Sequence, residues 1–172
     1  MRRREILVLS VITAVGATAG WVSGDSFAQE KSLKEQLVGG WTLVSVVNIR
    51  SDGTKFDPTD GKGTGLMTFD GLSNFSFQNI RSDIPKLASN NRQQGTPEEF
   101  KSMAQGVLSY FGTYSIDDTG KILTQHVQSS SFPNFNGVER KWSIVLSDDE
   151  LTLASQVAAS GGSNELKWKR VK

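Results

Sequence analysis

Along most of the chain, apolar and polar residues alternate in short runs, and this pattern predicts a protein built mainly from β-strands. The first run, residues 41–49, is dense in β-branched residues and is followed by Ser-Asp-Gly, a sequence typical of turns. Two runs at 66–69 and 73–78 flank an Asp-Gly pair, which favours a type I′ turn, so they predict a hairpin. Five further runs follow, at residues 110–116, 121–128, 139–146, 150–156 and 165–171.

One segment has the features of an α-helix. Thr96 is a good N-cap residue, Pro97 suits the first helical position, and Glu99 completes a capping box. The apolar residues that follow recur at spacings of three and four, which places them on one helix face: Phe100, Met103, Ala104 and Val107. Residues 31–40 predict a second, shorter helical segment that ends at two glycines.

These elements amount to eight strands and one helix within a single domain. Many short antiparallel strands joined by tight turns form either a sandwich or a barrel. A barrel is favoured because closure removes exposed strand edges, and eight strands enclose a space that is filled by side chains or holds one small ligand. We therefore expect an all-β, eight-stranded antiparallel barrel with one short helix over residues 41–172, after a short lead-in over 29–40.

The first 28 residues differ from the rest and predict a signal peptide. Three arginines precede an uncharged stretch at 6–22, and Ser26 and Ala28 place small residues three and one positions before a cleavage point. We expect cleavage after Ala28 and a periplasmic or secreted protein, exported by the Sec route or, because Arg3-Arg4 loosely fits a twin-arginine signal, by that route. The alternative is an uncleaved anchor, since the uncharged stretch is near the minimum length of a membrane span.

Composition excludes several classes of function. The signal holds three of the 19 basic and two of the 18 acidic residues, which leaves 16 of each and no net charge. Without a basic block there is no electrostatic case for nucleic acid, and no stretch for stable membrane insertion remains after cleavage.

The absence of cysteine excludes disulfides and thiolate zinc sites, and one histidine is too few for a metal site. The glycine-rich segment 61–65 precedes a strand, so it does not fit a phosphate loop, and we predict no cofactor.

The aromatic residues of the predicted strands are the best clue to function. A barrel lined by aromatic rings and a few polar groups suits a small hydrophobic ligand. The candidate lining residues are Phe75, Phe77, Tyr114, His126, Arg140 and Trp142. One alternative is an isomerase, cyclase or hydrolase that uses His126, either alone or with Tyr114, for acid–base catalysis, because imidazole titrates near neutral pH. The other is a scaffold domain whose barrel is filled by its own aromatic residues. The presence or absence of an interior cavity would distinguish this scaffold from the other two functions.

Several stretches resemble the bacterial lipocalin-like domain family, whose members are mostly of unassigned function. The likeness covers residues 37–172 and rests on the segments 40–45, 96–100, 111–117, 131–137, 151–153 and 161–170, together with His126. The resemblance implies a lipocalin-like β-barrel but little about activity, because a barrel fold hosts many functions. Such proteins often carry an arginine five residues past the glycine of the fourth segment, where this chain has Trp142. Arg140 lies two residues earlier, so an anion-binding role does not carry over to that position.

Overall fold

The computed structural model describes residues 31–155, 158–159 and 161–172. The predicted signal peptide and the cleavage point after Ala28 lie outside these described residues. Within the same three ranges, no helix has the length and apolar character needed to cross a membrane.

Nine strands and two α-helices make up the described chain. The strands are β1 (Gly39–Ile49), β2 (Lys55–Phe56), β3 (Gly63–Phe69), β4 (Asn74–Arg81), β5 (Val107–Ile116), β6 (Ile122–Ser130), β7 (Glu139–Ser147), β8 (Glu150–Ser155) and β9 (Ser163–Arg170). The helices are α1 (Leu33–Leu37) and α2 (Pro97–Gly106), and a 3₁₀ turn spans Pro133–Phe135. The two-residue strand β2 and the 3₁₀ turn are elements that the hydrophobic pattern does not predict.

The eight long strands close into a barrel, which confirms the predicted fold class. β1 and β3 to β9 pair with their neighbours in an antiparallel ring, and β9 pairs back onto β1 from Trp41↔Arg170 to Ile49↔Ser163. β2 pairs only with the end of β1 and adds nothing to the ring. Because the first strand meets the last, the ladder of backbone hydrogen bonds has no free edge around the barrel.

The predicted hairpin is present, but its turn is not type I′. β3 and β4 pair as far as Phe69↔Phe75, and the positive φ angle of the loop belongs to Ser73 (70°), not to Gly71. The carboxylate of Asp70 accepts hydrogen bonds from the backbone N–H groups of Leu72 (2.9 Å) and Asn74 (2.7 Å). These bonds stabilise a longer loop than the two-residue turn, which explains why the prediction of the turn type is wrong.

The capping box predicted for α2 is present. The Thr96 hydroxyl accepts from the Glu99 N–H (3.2 Å), and the Glu99 carboxylate accepts from the Thr96 N–H (2.7 Å). α1 lies within residues 31–40, where a short helical segment is expected, and carries its own capping box between Ser32 and Glu35. Both helices are therefore fixed at their N-termini by reciprocal hydrogen bonds.

α1 closes one end of the barrel. Leu37 is fully buried, and its carbonyl accepts a hydrogen bond from the indole Nε1 of Trp41, at 2.9 Å. Further inside the barrel from α1, the rings of Phe69 and Tyr114 pack edge to face with centroids 4.9 Å apart. This end of the interior is therefore filled by side chains.

A β-bulge in β6, where Gln128 is the extra residue, depends on glycine at position 112 of the neighbouring strand β5. The pairing of β5 with β6 shifts register between Phe111 and Gly112, and a Cβ atom on Gly112 would overlap the backbone carbonyl oxygen of His126. The close approach of two backbones at this point leaves no room for any side chain.

We expect Gly112→Ala to destabilise the fold by about 1–3 kcal/mol, the usual cost of forcing extra atoms into a packed site. Gly71→Ala is the matched control, because nothing lies within 4 Å of its added Cβ and its φ angle is not positive. Urea denaturation of both variants measures the difference. Equal midpoints for the two variants would show that the bulge tolerates a side chain.

Candidate functional site

A cavity of about 570 Å³ lies at the barrel end opposite α1. It is bordered by the ends of β1 and β4, the starts of β5, β7 and β9, the C-terminal turn of α2, and β2. Its apolar lining consists mainly of Val46, Phe56, Leu108, Phe77, Phe132, Trp142 and Leu166. Its polar lining consists of Asn48, Thr59, Asn79, Arg81, Gln105, Arg140 and Asn164. The cavity is thus an apolar space that carries amide and guanidinium groups on its wall.

The floor of the cavity is apolar because the inward positions of its strands are apolar. Val46 and Leu166 face each other across the β1–β9 pair, and Phe77 approaches from β4. Trp142 completes the floor from β7, and its indole Nε1 donates a hydrogen bond to Gln125 Oε1 at 2.8 Å. That bond gives the buried indole N–H a partner and fixes the ring plane against the cavity.

Arg140 lies at the side of the cavity with its guanidinium among aromatic rings. The guanidinium carbon is 4.4 Å from the ring centroid of Phe135 and 4.5 Å from that of Trp142. Its Nη1 donates to the hydroxyl of Tyr110 at 2.6 Å, and the Tyr110 ring stacks on Phe77 with centroids 4.4 Å apart. Cation–π contacts and this hydrogen bond stabilise a positive charge in a largely buried position.

Tyr110 is neutral at physiological pH. Burial raises its pKa to about 12, although the charge of Arg140 and the hydrogen bond from it act in the opposite direction. The buried hydroxyl therefore keeps its proton and accepts from Arg140 with an oxygen lone pair.

The mouth of the cavity is bordered by ion pairs. Arg81 makes a two-pronged contact with Asp83, from Nε and Nη2 to the two carboxylate oxygens, each at 2.9 Å. Lys62 Nζ also lies 2.9 Å from Asp83 Oδ2, and Asp60 Oδ2 lies 3.5 Å from Arg81 Nη1. Hydrogen bonds from Arg81 and Lys62 hold the pKa of the Asp83 carboxyl well below its usual range. The cation of Arg81 is therefore already matched by carboxylates at this rim.

The structure brings together three of the six residues that the sequence proposes as lining. Phe77, Arg140 and Trp142 line the cavity. Phe75 and Tyr114 also face the interior, but they pack below it, where the Tyr114 hydroxyl donates to the backbone carbonyl of Asp70 at 3.0 Å. These two residues belong to the filled part of the barrel.

His126 lies on the outer surface and does not line the interior. Its side chain is 45% exposed, and its Nδ1 is 3.1 Å from a carboxylate oxygen of Glu139 on the neighbouring strand. Because Tyr114 points inward from β5 while His126 points outward from β6, the two side chains proposed for acid–base catalysis lie on opposite sides of the barrel wall. Across the described ranges, no group of three or more acidic or histidine side chains is placed to hold a metal ion.

Sequence reasoning misses the asparagines of the cavity wall. Asn48, Asn79 and Asn164 each lie two residues from an inward apolar position in the same strand, so they share its face. The inward and outward positions of each strand continue to alternate up to the asparagine, although the inward residue there is polar. An asparagine at an inward position of a predicted strand is therefore the signal that would have identified these residues.

Comparison with known proteins identifies one matching family model and several similar solved structures. A family model described as a lipocalin-like domain matches residues 38–171. Similar solved structures include As-p18, an extracellular fatty acid binding protein, with 12% identity and a TM-score of 0.41 over 82% of this chain and 100% of that one. A mutant of the fluorescent protein UnaG has 11% identity and a TM-score of 0.38 over 80% and 97% of the two chains. A search of curated proteins finds no match.

We expect the tyrosines of the folded protein to ionise only above their ordinary range. The chain has two, and burial raises the pKa of both, that of Tyr110 to about 12. Because the unfolded chain releases these protons near pH 10, the free energy of unfolding should decrease as the pH rises from about 10 to about 12. Phenolate absorbance during a pH titration, with and without denaturant, measures the effect. Coincident titration curves would contradict it.

Proposed function

The chain belongs to the lipocalin-like domain family, and from this membership and the cavity we propose that it binds a small, largely apolar molecule in the open end of the barrel. The cavity carries the proposal. Its volume of about 570 Å³ falls within the roughly 300–1,000 Å³ that is usual for small-molecule sites. A barrel that serves only as a scaffold needs no such space.

The chemistry of the floor favours an apolar body for the ligand. The floor is formed by the side chains of Val46, Phe77, Leu166 and Trp142. None of these four side chains needs a hydrogen bond from the ligand, since the indole N–H of Trp142 already donates to Gln125. Each Å² of apolar ligand surface that moves from water onto this floor contributes about 25 cal/mol to the free energy of binding. Because α1 and the aromatic packing fill the other end, we propose that the ligand enters and leaves between α2 and Ala159.

Filling the cavity should prevent binding. Leu108 lines the cavity from the start of β5, and we expect Leu108→Trp to occupy the space that a ligand needs. The uncharged dye Nile red fluoresces more strongly in apolar surroundings, so a fluorescence titration reports its binding. We expect saturable binding to the wild type and at least about a tenfold weaker affinity for the variant.

Val145→Trp is the matched control, because Val145 is 65% exposed on the outer face of β7. Its affinity should equal that of the wild type. If the control and Leu108→Trp bind the dye equally well, or if the wild type does not bind it more than an unrelated protein does, the barrel is not the binding site. Thermal unfolding of each variant shows whether the barrel remains folded.

We also propose that the protein is exported and acts outside the bacterial cytoplasm. The basic start, the uncharged stretch at 6–22 and the small residues Ser26 and Ala28 support this proposal. When the full chain is expressed in a bacterium, the purified product should begin at Gln29, as intact mass and N-terminal sequencing would measure. Recovery of the chain with residues 1–28 still attached would support the membrane-anchor alternative instead.

A further inference from the structure

The cavity wall changes from apolar to amide at one level of the barrel. Three strands each carry an asparagine two residues nearer to the open end than an apolar floor residue. The three pairs are Val46 and Asn48, Phe77 and Asn79, and Leu166 and Asn164. Asn48 and Asn164 are direct partners across the β1–β9 ladder. The amides therefore form a polar band between the apolar floor and the charged rim at Arg81.

Two of these amides have a carbonyl oxygen without a donor. Asn79 is 9% exposed, and neither Asn79 Oδ1 nor Asn164 Oδ1 accepts a hydrogen bond from any residue in the described part of the chain. A buried acceptor that is shielded from water and accepts no hydrogen bond raises the free energy of the folded state. Such an acceptor therefore suggests a partner that is not part of the chain.

Both oxygens can reach a ligand by a small movement. The Asn79 oxygen lies against the wall near Gly63, where a Cβ atom would approach it to 3.2 Å. Rotation about the terminal torsion of asparagine is soft, because that torsion has a broad preference. Since the side chains of Asn79 and Asn164 both border the cavity, such a rotation would present their carbonyl oxygens to a bound molecule.

We propose that the ligand is an uncharged apolar molecule whose polar group donates hydrogen bonds, through N–H or O–H, to Asn79 and Asn164. This inference rests on the proposed function and specifies its ligand class. A plain hydrocarbon, or a group that only accepts, would displace water from the band and leave both carbonyl oxygens unmatched. An ionised carboxylate would also bring negative charge against carbonyl dipoles, and Arg81, the cation at the rim, already pairs with Asp83 and Asp60. Arg140, the other cation among the described lining residues, already lies among aromatic rings and donates to Tyr110.

A matched pair of probes isolates the donor. Dodecanamide carries two N–H donors, whereas N,N-dimethyldodecanamide has the same chain and carbonyl but no donor. Competition against Nile red on the purified protein measures both affinities. We expect dodecanamide to bind at least about tenfold more tightly. Dodecanoate, which is anionic and donates nothing, is the third probe and should bind more weakly than dodecanamide.

Side-chain variants test whether the asparagines cause the preference. Asn79→Leu and Asn164→Leu keep the approximate volume but remove the acceptor, and each should reduce the preference for dodecanamide by several-fold. Gln78→Leu is the control, because Gln78 is an exposed amide on the outer face of β4 and its loss should leave the preference unchanged.

The outcomes separate this inference from the proposed function. Equal binding of the two amides by the wild type would overturn the inference while leaving the proposed function intact, and no variant is needed for that result. Tighter binding of dodecanoate, lost in Arg140→Leu, would also overturn it and assign the polar end to Arg140. If Nile red and all three probes fail to bind, the proposed function itself fails. A preference that survives in both asparagine variants would assign the acceptor to other residues and overturn the inference.

Discussion

The pairing of β1 with β9 is the contact on which the rest of the structure depends. It joins the first and last strands of the ring over eight registered residue pairs and leaves no open edge. Closure forces every second side chain of eight strands into one enclosed space, whatever its polarity. The filled end, the cavity and the band of amides all result from which residues occupy those inward positions.

Along this interior, the character of the inward residues changes from one end to the other. Near α1, the rings of inward aromatic residues such as Phe69, Phe75 and Tyr114 pack against one another and fill the interior. Toward the other end, asparagines replace them and the packing opens. Polar residues at the open end lower the cost of hydrating an empty cavity, whereas the apolar floor retains a driving force for ligand burial. Under the proposed function, the amides would determine which polar groups bind, and the apolar floor would supply most of the binding energy.

Much of the fold could be predicted because closure requires strict alternation, which the sequence displays in residues 73–78 and 165–171. The site was harder to predict. Leu123 and Val127 made one face of β6 as apolar as the face of His126, so periodicity alone did not show that His126 points outward. The turn after Phe69 depended on hydrogen bonds of one carboxylate, and β2 is too short to show a pattern.

The position of α1 limits how the N-terminus can be trimmed. Ser32 caps this helix, and only one described residue, Lys31, precedes it. A protease that cut within α1 would remove the cap, and one that cut after Leu37 would also uncover the indole of Trp41 and the hydrophobic end of the barrel. Any cleavage near the N-terminus therefore has a downstream boundary set by core packing, independent of the enzyme that would make the cut.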